Sequence, residues 1–307
     1  MADSSGFPSA PDRRTGAQLA GFQLGEAALA RALAAYQAAL GSRLIAGYAL
    51  GSLAHGGFSP LVSDVDLGLV LDDPLRAKDR LTIQAVARSV KAEGTELDQR
   101  LSVFWGTPAT LGGQRRGGRF PPLDRLDLIE YGRLLTGRDV RATVTRPDRT
   151  ELLIAGAEFA LGYLGVPSTG LPSLRQARAL LRPGSALAEI RSPERLAARG
   201  PRRVTKIVLF PVRFLYTAET GRVGTNAAAA GHYLARPDPP AAALVAAALA
   251  WRREWRPAGR EAIGLLDREL IPLYVHYLED HIARLQAVGC SRLSGRFRQL
   301  RSRLQAP

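Results

Sequence analysis

Two aspartates separated by a single residue, Asp64 and Asp66, are the clearest candidates for chemistry in this sequence. They open residues 64–71, where polar and apolar positions alternate before a mostly apolar end, as in a β-strand. Residues two apart on a strand point to the same face. Two carboxylates that close repel each other unless a cation lies between them, and Mg²⁺ prefers oxygen ligands together with substrate phosphates. The pair therefore predicts a metal site.

A glycine and a serine precede this pair at the end of another apolar segment. Residues 44–50 form a short apolar run typical of a buried strand, and Gly51 and Ser52 follow it directly. Glycine lets a backbone approach a phosphate closely, and the serine hydroxyl adds a hydrogen-bond donor. Residues 53–63 then form a returning loop. The alternative interpretation, in which the acids are only the polar face of an edge strand, accounts for less of the pattern because aspartate is disfavoured in strands.

The remaining elements of the first half follow from hydrophobic spacing. Residues 106–122 are rich in glycine and arginine and predict a mobile loop. The other segments predict alternating helices and strands: a helix over 17–40, strands over 44–50 and 64–71, a helix over 75–91 and a strand over 101–105.

Beyond residue 140 the strand signals disappear and helical segments follow one another. We expect them over residues 149–164, 171–182, 203–219, 225–235, 241–253, 260–287 and 291–304. The predicted fold class is α+β, with a small mixed-sheet domain over residues 17–145 followed by an all-α helical bundle over residues 146–307. Residues 1–16 are polar and predict a flexible leader, since they lack the apolar core of a signal peptide.

The segment 51–67, GSLAHGGFSPLVSDVDL, resembles the signature of the DNA polymerase β-like nucleotidyltransferase superfamily. More narrowly, it is similar to the aminoglycoside adenylyltransferases that modify streptomycin and spectinomycin. Their signature also carries a Gly-Gly, a proline and a serine before the first aspartate. Residues 207–230 and 274–277 are similar to later helical segments of those enzymes. The resemblance covers most of the chain from residue 40 to residue 287.

The resemblance implies a nucleotidyltransferase that moves a nucleoside monophosphate, AMP from ATP, to a hydroxyl group. Asp64 and Asp66 would hold Mg²⁺, and Arg213 would reach the phosphates from the helical domain, so that ATP lies between the domains. Residues of the glycine-serine loop would contact the triphosphate: Gly51, Ser52 and Ser63.

Two departures from the family pattern bear on catalysis. The strand over 101–105 carries Ser102 where these enzymes have a third carboxylate, which leaves Asp98 or Glu96 as the candidate catalytic base. The lysine that follows their Thr-Gly turn is replaced by Asn226, with Arg222 nearby as a candidate substitute.

A third departure bears on the acceptor. The acids that face a cationic drug in those enzymes are replaced here by a basic segment, Pro201-Arg202-Arg203, with Lys206 soon after. A cationic drug would be repelled by these side chains. We therefore expect a neutral or anionic small-molecule acceptor.

The composition is that of a soluble protein with real hydrophobic cores, with 46% hydrophobic and 23% charged residues among 307. The single cysteine, Cys290, excludes a disulfide framework and fits a reducing cytoplasm. The sequence has no apolar run of about 18 residues, so we expect no membrane span. The net charge of +14 comes almost entirely from arginine. It fits a polyanionic partner such as tRNA, and it also fits a compositional bias without functional meaning.

Two alternatives to small-molecule nucleotidyl transfer stay open. The first is the same chemistry on a tRNA end or a protein side chain, as in toxin-type relatives, which the basic charge favours. The second is a nucleotide- or RNA-binding relative that has lost catalysis, which the missing third carboxylate suggests.

Overall fold

The computed structural model describes residues 16–165, 186–255 and 260–306. All strands of this part lie in the first half of the chain: β1 Leu44–Leu50, β2 Val65–Leu71, β3 Leu101–Gly106 and β4 Arg133–Gly137. The helices of that half are α1 Gly16–Leu40, α2 Gly51–Ala54, α3 Ala77–Glu93, α4 Glu96–Gln99, α5 Pro108–Leu111 and α6 Pro122–Tyr131. The helices that follow are α7 Arg149–Tyr163, α8 Ala186–Ile190, α9 Pro193–Ala198, α10 Pro201–Thr220, α11 Asn226–Leu234, α12 Ala242–Trp251, α13 Arg260–Ala287 and α14 Ser291–Gln305.

The four strands form one mixed sheet in the order β3-β2-β1-β4. β2 pairs antiparallel with β1 and parallel with β3, and β4 pairs antiparallel with the other edge of β1. The register places Asp66 between Leu50 of β1 and Ser102 of β3. Because Gly51 directly follows Leu50, this register brings the glycine turn next to the Asp-x-Asp pair.

The two faces of the sheet pack against different helices. Val65 and Leu67 join the core that α1 and α3 form on one face. Val70 and Leu128 of α6 belong to a separate core on the opposite face. Side chains alternate along a strand, so Asp66, between Val65 and Leu67, lies on the face that α6 covers.

The helical half is organised around α10. This helix packs against α7, α11, α12 and α13, and apolar residues such as Val204, Ile207 and Val208 bury it in the largest core of the chain. The buried hydroxyl of Tyr274 on α13 donates to the carbonyl of Ile207 at 2.9 Å. The polar face of α10 is therefore carried on a firmly packed helix.

The predicted α+β class is confirmed, and the helices α7 and α10–α14 match their predicted segments to within a few residues. The predicted helix over 171–182 lies outside the described residues, as do residues 1–15 of the predicted leader, while Gly16 already begins α1. Among the described helices, none combines the length and apolar character that crossing a bilayer requires.

The segment over 106–122 is more ordered than the predicted mobile loop. It contains α5, and Arg119 pairs with Trp105 through backbone hydrogen bonds of 3.1 and 2.6 Å. Several further elements were not predicted: the short helices α2, α4, α8 and α9, the helix α6 and the strand β4. β4 is a partly exposed edge strand of five residues, which is too short for an alternating pattern to stand out.

Candidate active site

One wall of the candidate site consists of four carboxylates from the sheet half. Asp64 and Asp66 come from the start of β2, and Asp124 and Asp127 lie one turn apart on α6. Burial and the charges of Asp64 and Asp127 raise the pKa of Asp66 to about 7. Burial and the charges of Asp66 and Asp127 raise the pKa of Asp124 to about 8. These shifts indicate a concentration of negative charge that favours a bound cation.

Gly51 fits this acidic wall because it has no side chain. Its φ of +59° is left-handed, and a Cβ added to it would lie 2.2 Å from Oδ2 of Asp66. Its N–H donates to Oδ2 of Asp127 at 2.6 Å. The glycine therefore leaves room for the Asp66 carboxylate and binds that of Asp127, whereas the sequence predicts only its close approach to phosphate.

Replacing Gly51 with alanine is expected to lower both stability and ATP binding. The left-handed backbone alone costs an L-residue about 1–2 kcal/mol, and the new methyl group displaces the Asp66 carboxylate. The matched control is Gly57→Ala, because a Cβ there meets only Nδ1 of His55 at 3.8 Å and the backbone is not left-handed. Chemical denaturation and calorimetric titration with ATP measure the two effects. Equal behaviour of the two variants would contradict this geometry.

The structure does not bring the predicted third acid to the site. Asp98 accepts hydrogen bonds from Thr95 and from Arg31 of α1, each at 2.7 Å, and is thus held on the α1 side of the sheet, opposite Asp66. Glu96 is exposed and pairs with Arg100. The structure therefore contradicts the assignment of Asp98 or Glu96 as base, and the acids that it brings close to Asp66 include those of α6. Asp98 instead caps the short helix α4, a local role that the sequence pattern alone did not distinguish.

The opposite wall of the site is basic and belongs to α10. Arg202, Lys206 and Arg213 are separated by four and then seven residues and so share one face of the helix. Burial lowers the pKa of the Arg213 guanidinium. The charges of Asp127, Asp66 and Asp124 act in the opposite direction and raise it. Its Nε donates to the carbonyl of Gly224 in the turn after α10. Arg213 is thus anchored on the helical half and faces the acids of the sheet half.

Asp64 of the acidic wall contacts the basic wall directly in this structure. Its Oδ1 accepts from Arg202, and its Oδ2 lies 3.5 Å from Nζ of Lys206. Its side chain keeps 24% of its accessible surface. The carboxylate therefore stays reachable from solvent while its charge is balanced by α10.

The loop over 53–63 contacts the helical half as well. Arg252, which follows α12, donates to the carbonyl of Gly57 at 3.0 Å and to the Ser63 hydroxyl at 3.4 Å. The buried Ser63 hydroxyl also accepts from the N–H of Ser59 at 3.0 Å. Ser63 therefore holds the loop in shape, and its expected contact with the triphosphate stays a prediction, since both of these hydrogen bonds leave its O–H donor unused. Ser52 lies in α2, and its hydroxyl makes no hydrogen bond to another described residue.

His55 and Arg222 lie at the edge of the same region. The His55 ring packs edge-to-face on Tyr131 at 5.3 Å, and burial together with the charges of Arg213 and Arg252 lowers its pKa to about 4. This histidine is therefore neutral at pH 7 and packed rather than solvated. Arg222 lies in the turn after α10, where its predicted contact with phosphate stays a prediction.

Asp124 and Asp127 are candidate site residues that the sequence did not predict. The signal that was present is the spacing of two acids by three residues, directly after Pro121-Pro122 opens a helix. No pattern in the neighbouring sequence shows that this helix covers the face of the sheet that carries Asp66. That proximity depends on the tertiary fold.

The donor chemistry of the acidic wall fits Mg²⁺. All its side-chain donors are carboxylate oxygens, and Oδ1 of Asp127 is buried without a hydrogen-bond partner among the described residues. In the same part of the chain, no three His, Cys, Asp or Glu side chains converge on one metal position. The aspartates therefore fit a Mg²⁺ ion that takes its remaining ligands from substrate phosphates and water.

Comparisons with known proteins give similarity to solved structures and none to family models or curated sequences. Among solved structures, the chain is similar to spectinomycin adenyltransferase AAD(9) from Enterococcus faecialis, crystallised with ATP and spectinomycin. The two are 14% identical with a TM-score of 0.49, over 80% of this chain and 98% of that one. A similarity of this degree does not determine the activity of this chain.

Proposed function

We propose that this chain transfers a nucleoside monophosphate, AMP from ATP, to a hydroxyl group of a small acceptor. The observation that carries the proposal is the opposition of two charged walls. Asp64 contacts Arg202 and Lys206 of α10. The charges of Asp127, Asp66 and Asp124 act on Arg213, whose guanidinium is held by the turn after α10. A metal-bound triphosphate needs carboxylates on its metal side and cations on its phosphate side.

Each wall then has a distinct task in the transfer. Asp64 and Asp66 hold Mg²⁺, which when bound neutralises charge on the triphosphate. Arg213 binds the outer phosphates through its planar fork of donors. Ser52, near the start of α2, donates from its hydroxyl to a phosphate oxygen.

Asp124 is the candidate general base. Its carboxylate takes the proton of the acceptor hydroxyl, whose oxygen bonds to the α-phosphorus while the bond to the bridging oxygen breaks and pyrophosphate leaves. Burial and the charges of Asp66 and Asp127 raise the pKa of Asp124 to about 8 without a metal. A cation held by Asp64 and Asp66 would lower this pKa and so favour the carboxylate form that a general base requires. Asp127 is less suited to this role because one of its oxygens already accepts from the N–H of Gly51.

The charge of α10 favours a neutral or anionic acceptor. Arg202 and Lys206 line the same cleft as Asp64, so a cationic acceptor meets repulsion while an anionic one is attracted. We therefore expect no useful transfer to streptomycin or spectinomycin.

A screen with α-labelled ATP tests the function and the acceptor together. The panel contains aminoglycosides, nucleotides, sugar phosphates and bulk tRNA, with Asp124→Asn as a parallel enzyme sample. We expect label transfer and pyrophosphate release with a neutral or anionic small molecule, and a loss of about 10²–10⁴-fold in Asp124→Asn, the range for one acid–base group.

Three outcomes would count against parts of this proposal. Transfer to an aminoglycoside at ordinary rates would overturn the acceptor assignment. Label on tRNA that weakens as salt rises would favour the macromolecular alternative. ATP binding without transfer to any acceptor would favour a non-catalytic nucleotide-binding protein.

A further inference from the structure

A second recess lies along the free edge of the sheet, and Arg119 on its rim is close enough to Asp124 for their charges to interact. It has a volume of about 600 Å³ and runs between α3 and the edge strand β3. This volume is in the range of specific ligand sites, roughly 300–1,000 Å³. None of the four aspartates of the acidic wall lines it. We refer to it as the α3–β3 groove.

The rim of the groove is cationic. Arg76, Arg80 and Lys91 lie along α3, and Arg119 closes the far side. All four side chains are exposed, and no acid is among the residues that line the groove. Within residues 16–165, 186–255 and 260–306, none of the four takes part in an ion pair. Four such cations around one recess create a positive potential that attracts anions.

The floor of the groove is apolar and includes an aromatic ring. Ile83, Leu101 and Val103 are at most 5% exposed, and Trp105 is partly exposed beside them. An apolar floor binds the uncharged, flat surfaces of a ligand. An indole ring in particular stacks on nucleobases. The groove therefore combines phosphate-binding groups with a surface for bases.

The length of the groove favours an extended ligand. The cations from Arg76 to Lys91 span four turns of helix, about 20 Å at the rise of an α-helix. The backbone of β3 is not free to accept an added peptide strand, because Arg119 bonds both backbone groups of Trp105 and donates from its guanidinium to the Val103 carbonyl at 3.1 Å. A chain that carries repeated phosphates and flat bases fits these constraints. A duplex does not, since its bases are stacked inside and cannot reach the floor.

We propose that the α3–β3 groove binds single-stranded nucleic acid, with phosphates on Arg76, Arg80, Lys91 and Arg119 and a base on Trp105. This binding does not depend on the proposed nucleotidyl transfer. The groove places part of the net charge of +14 around one apolar recess. A compositional bias toward arginine does not by itself require that placement.

Fluorescence anisotropy with a labelled single strand of about 12 nucleotides tests the proposal. We expect Arg80→Glu and Lys91→Glu each to weaken binding about tenfold, the loss for one charge-assisted hydrogen bond. Each should also lower the slope of log affinity against log salt by about 0.7, the value for one phosphate contact on a single strand. The matched control is Arg298→Glu on α14, an exposed arginine outside the groove that changes the net charge equally.

Three further binding measurements distinguish the α3–β3 groove from the acidic wall and from a general effect of net charge. Asp66→Asn should keep full binding, because Asp66 does not line the groove. An equal loss in Arg298→Glu would show that only overall charge matters and would overturn the proposal. It would also be overturned if AMP displaced the strand at equal concentration, if duplex bound as tightly as single strand, or if no strand bound at all.

Discussion

Asp66→Asn is expected to reduce nucleotidyl transfer by about 10³-fold, because a metal contributes several kcal/mol to the transition state and each 1.4 kcal/mol or so corresponds to tenfold in rate. Asparagine keeps the size of the side chain and removes the charge that would hold Mg²⁺. Mg²⁺-dependent ATP binding should fall in parallel in calorimetric titration. The control is Asp267→Asn, an exposed aspartate of α13 that changes the net charge by the same amount.

The same variant should be more stable than the parent protein when no metal is present. Burial and the charges of Asp64 and Asp127 raise the pKa of Asp66 from 3.8 to about 7. The unfolded chain therefore releases this proton at a lower pH than the folded chain, so Asp66 destabilises the fold progressively between about pH 4 and pH 7 and fully above it.

Denaturation in the presence of a chelator measures this effect at several pH values. We expect Asp66→Asn to gain stability at pH 8 and to match the parent protein near pH 4. Unchanged ATP affinity, or a variant that is less stable at pH 8, would mean that Asp66 does not lie in a concentrated negative site.

Arg213→Ala is expected to weaken ATP binding by about 10–100-fold, since a hydrogen bond to a charged group contributes about 1.5–3 kcal/mol. AMP binding should change much less, because AMP lacks the outer phosphates. Arg213→Lys should recover little: a lysine has no guanidinium fork for phosphate and cannot reproduce the Nε bond to the Gly224 carbonyl.

The comparison between ATP and AMP also detects a purely structural role for Arg213. If Arg213 serves only to hold the turn at Gly224, its loss should disturb both nucleotides equally. The control variant is Arg268→Ala, which removes an exposed arginine of α13. Isothermal titration of the parent protein and of each variant with ATP and with AMP, in the presence of Mg²⁺, gives the affinities needed.

Much of the architecture follows from local sequence patterns. The run over 44–50 and the alternation over 64–71 predict β1 and β2, and the structure has them at Leu44–Leu50 and Val65–Leu71. Helices such as α10 follow from apolar spacing because burial of one face requires that spacing. Short elements such as β4 carry too few residues for such a signal, and they form because a neighbouring strand edge is available.

The residues of the site also divide into those that local sequence patterns predict and those that they do not. Asp64, Asp66 and Gly51 are visible in the sequence because two strands and a tight turn bring them together over a short stretch. Asp98 is close to the relevant strand in sequence, yet it lies on the wrong face because it caps α4 and binds Arg31. A single-residue difference in register or a local cap reverses the face on which a side chain lies.

The sequence by itself thus determined the longer strands and helices, the Asp-x-Asp pair and the glycine beside it, because each depends on interactions between near neighbours in the chain. Only the tertiary structure decided which acids join Asp66 and that Arg202 and Lys206 contact Asp64. α6 supplies Asp124 and Asp127 because its apolar side packs on the face of the sheet that carries Asp66. α10 presents Arg202, Lys206 and Arg213 to that face because its other sides are buried in the helical core. Such long-range pairings depend on how whole elements pack, and no local pattern encodes them.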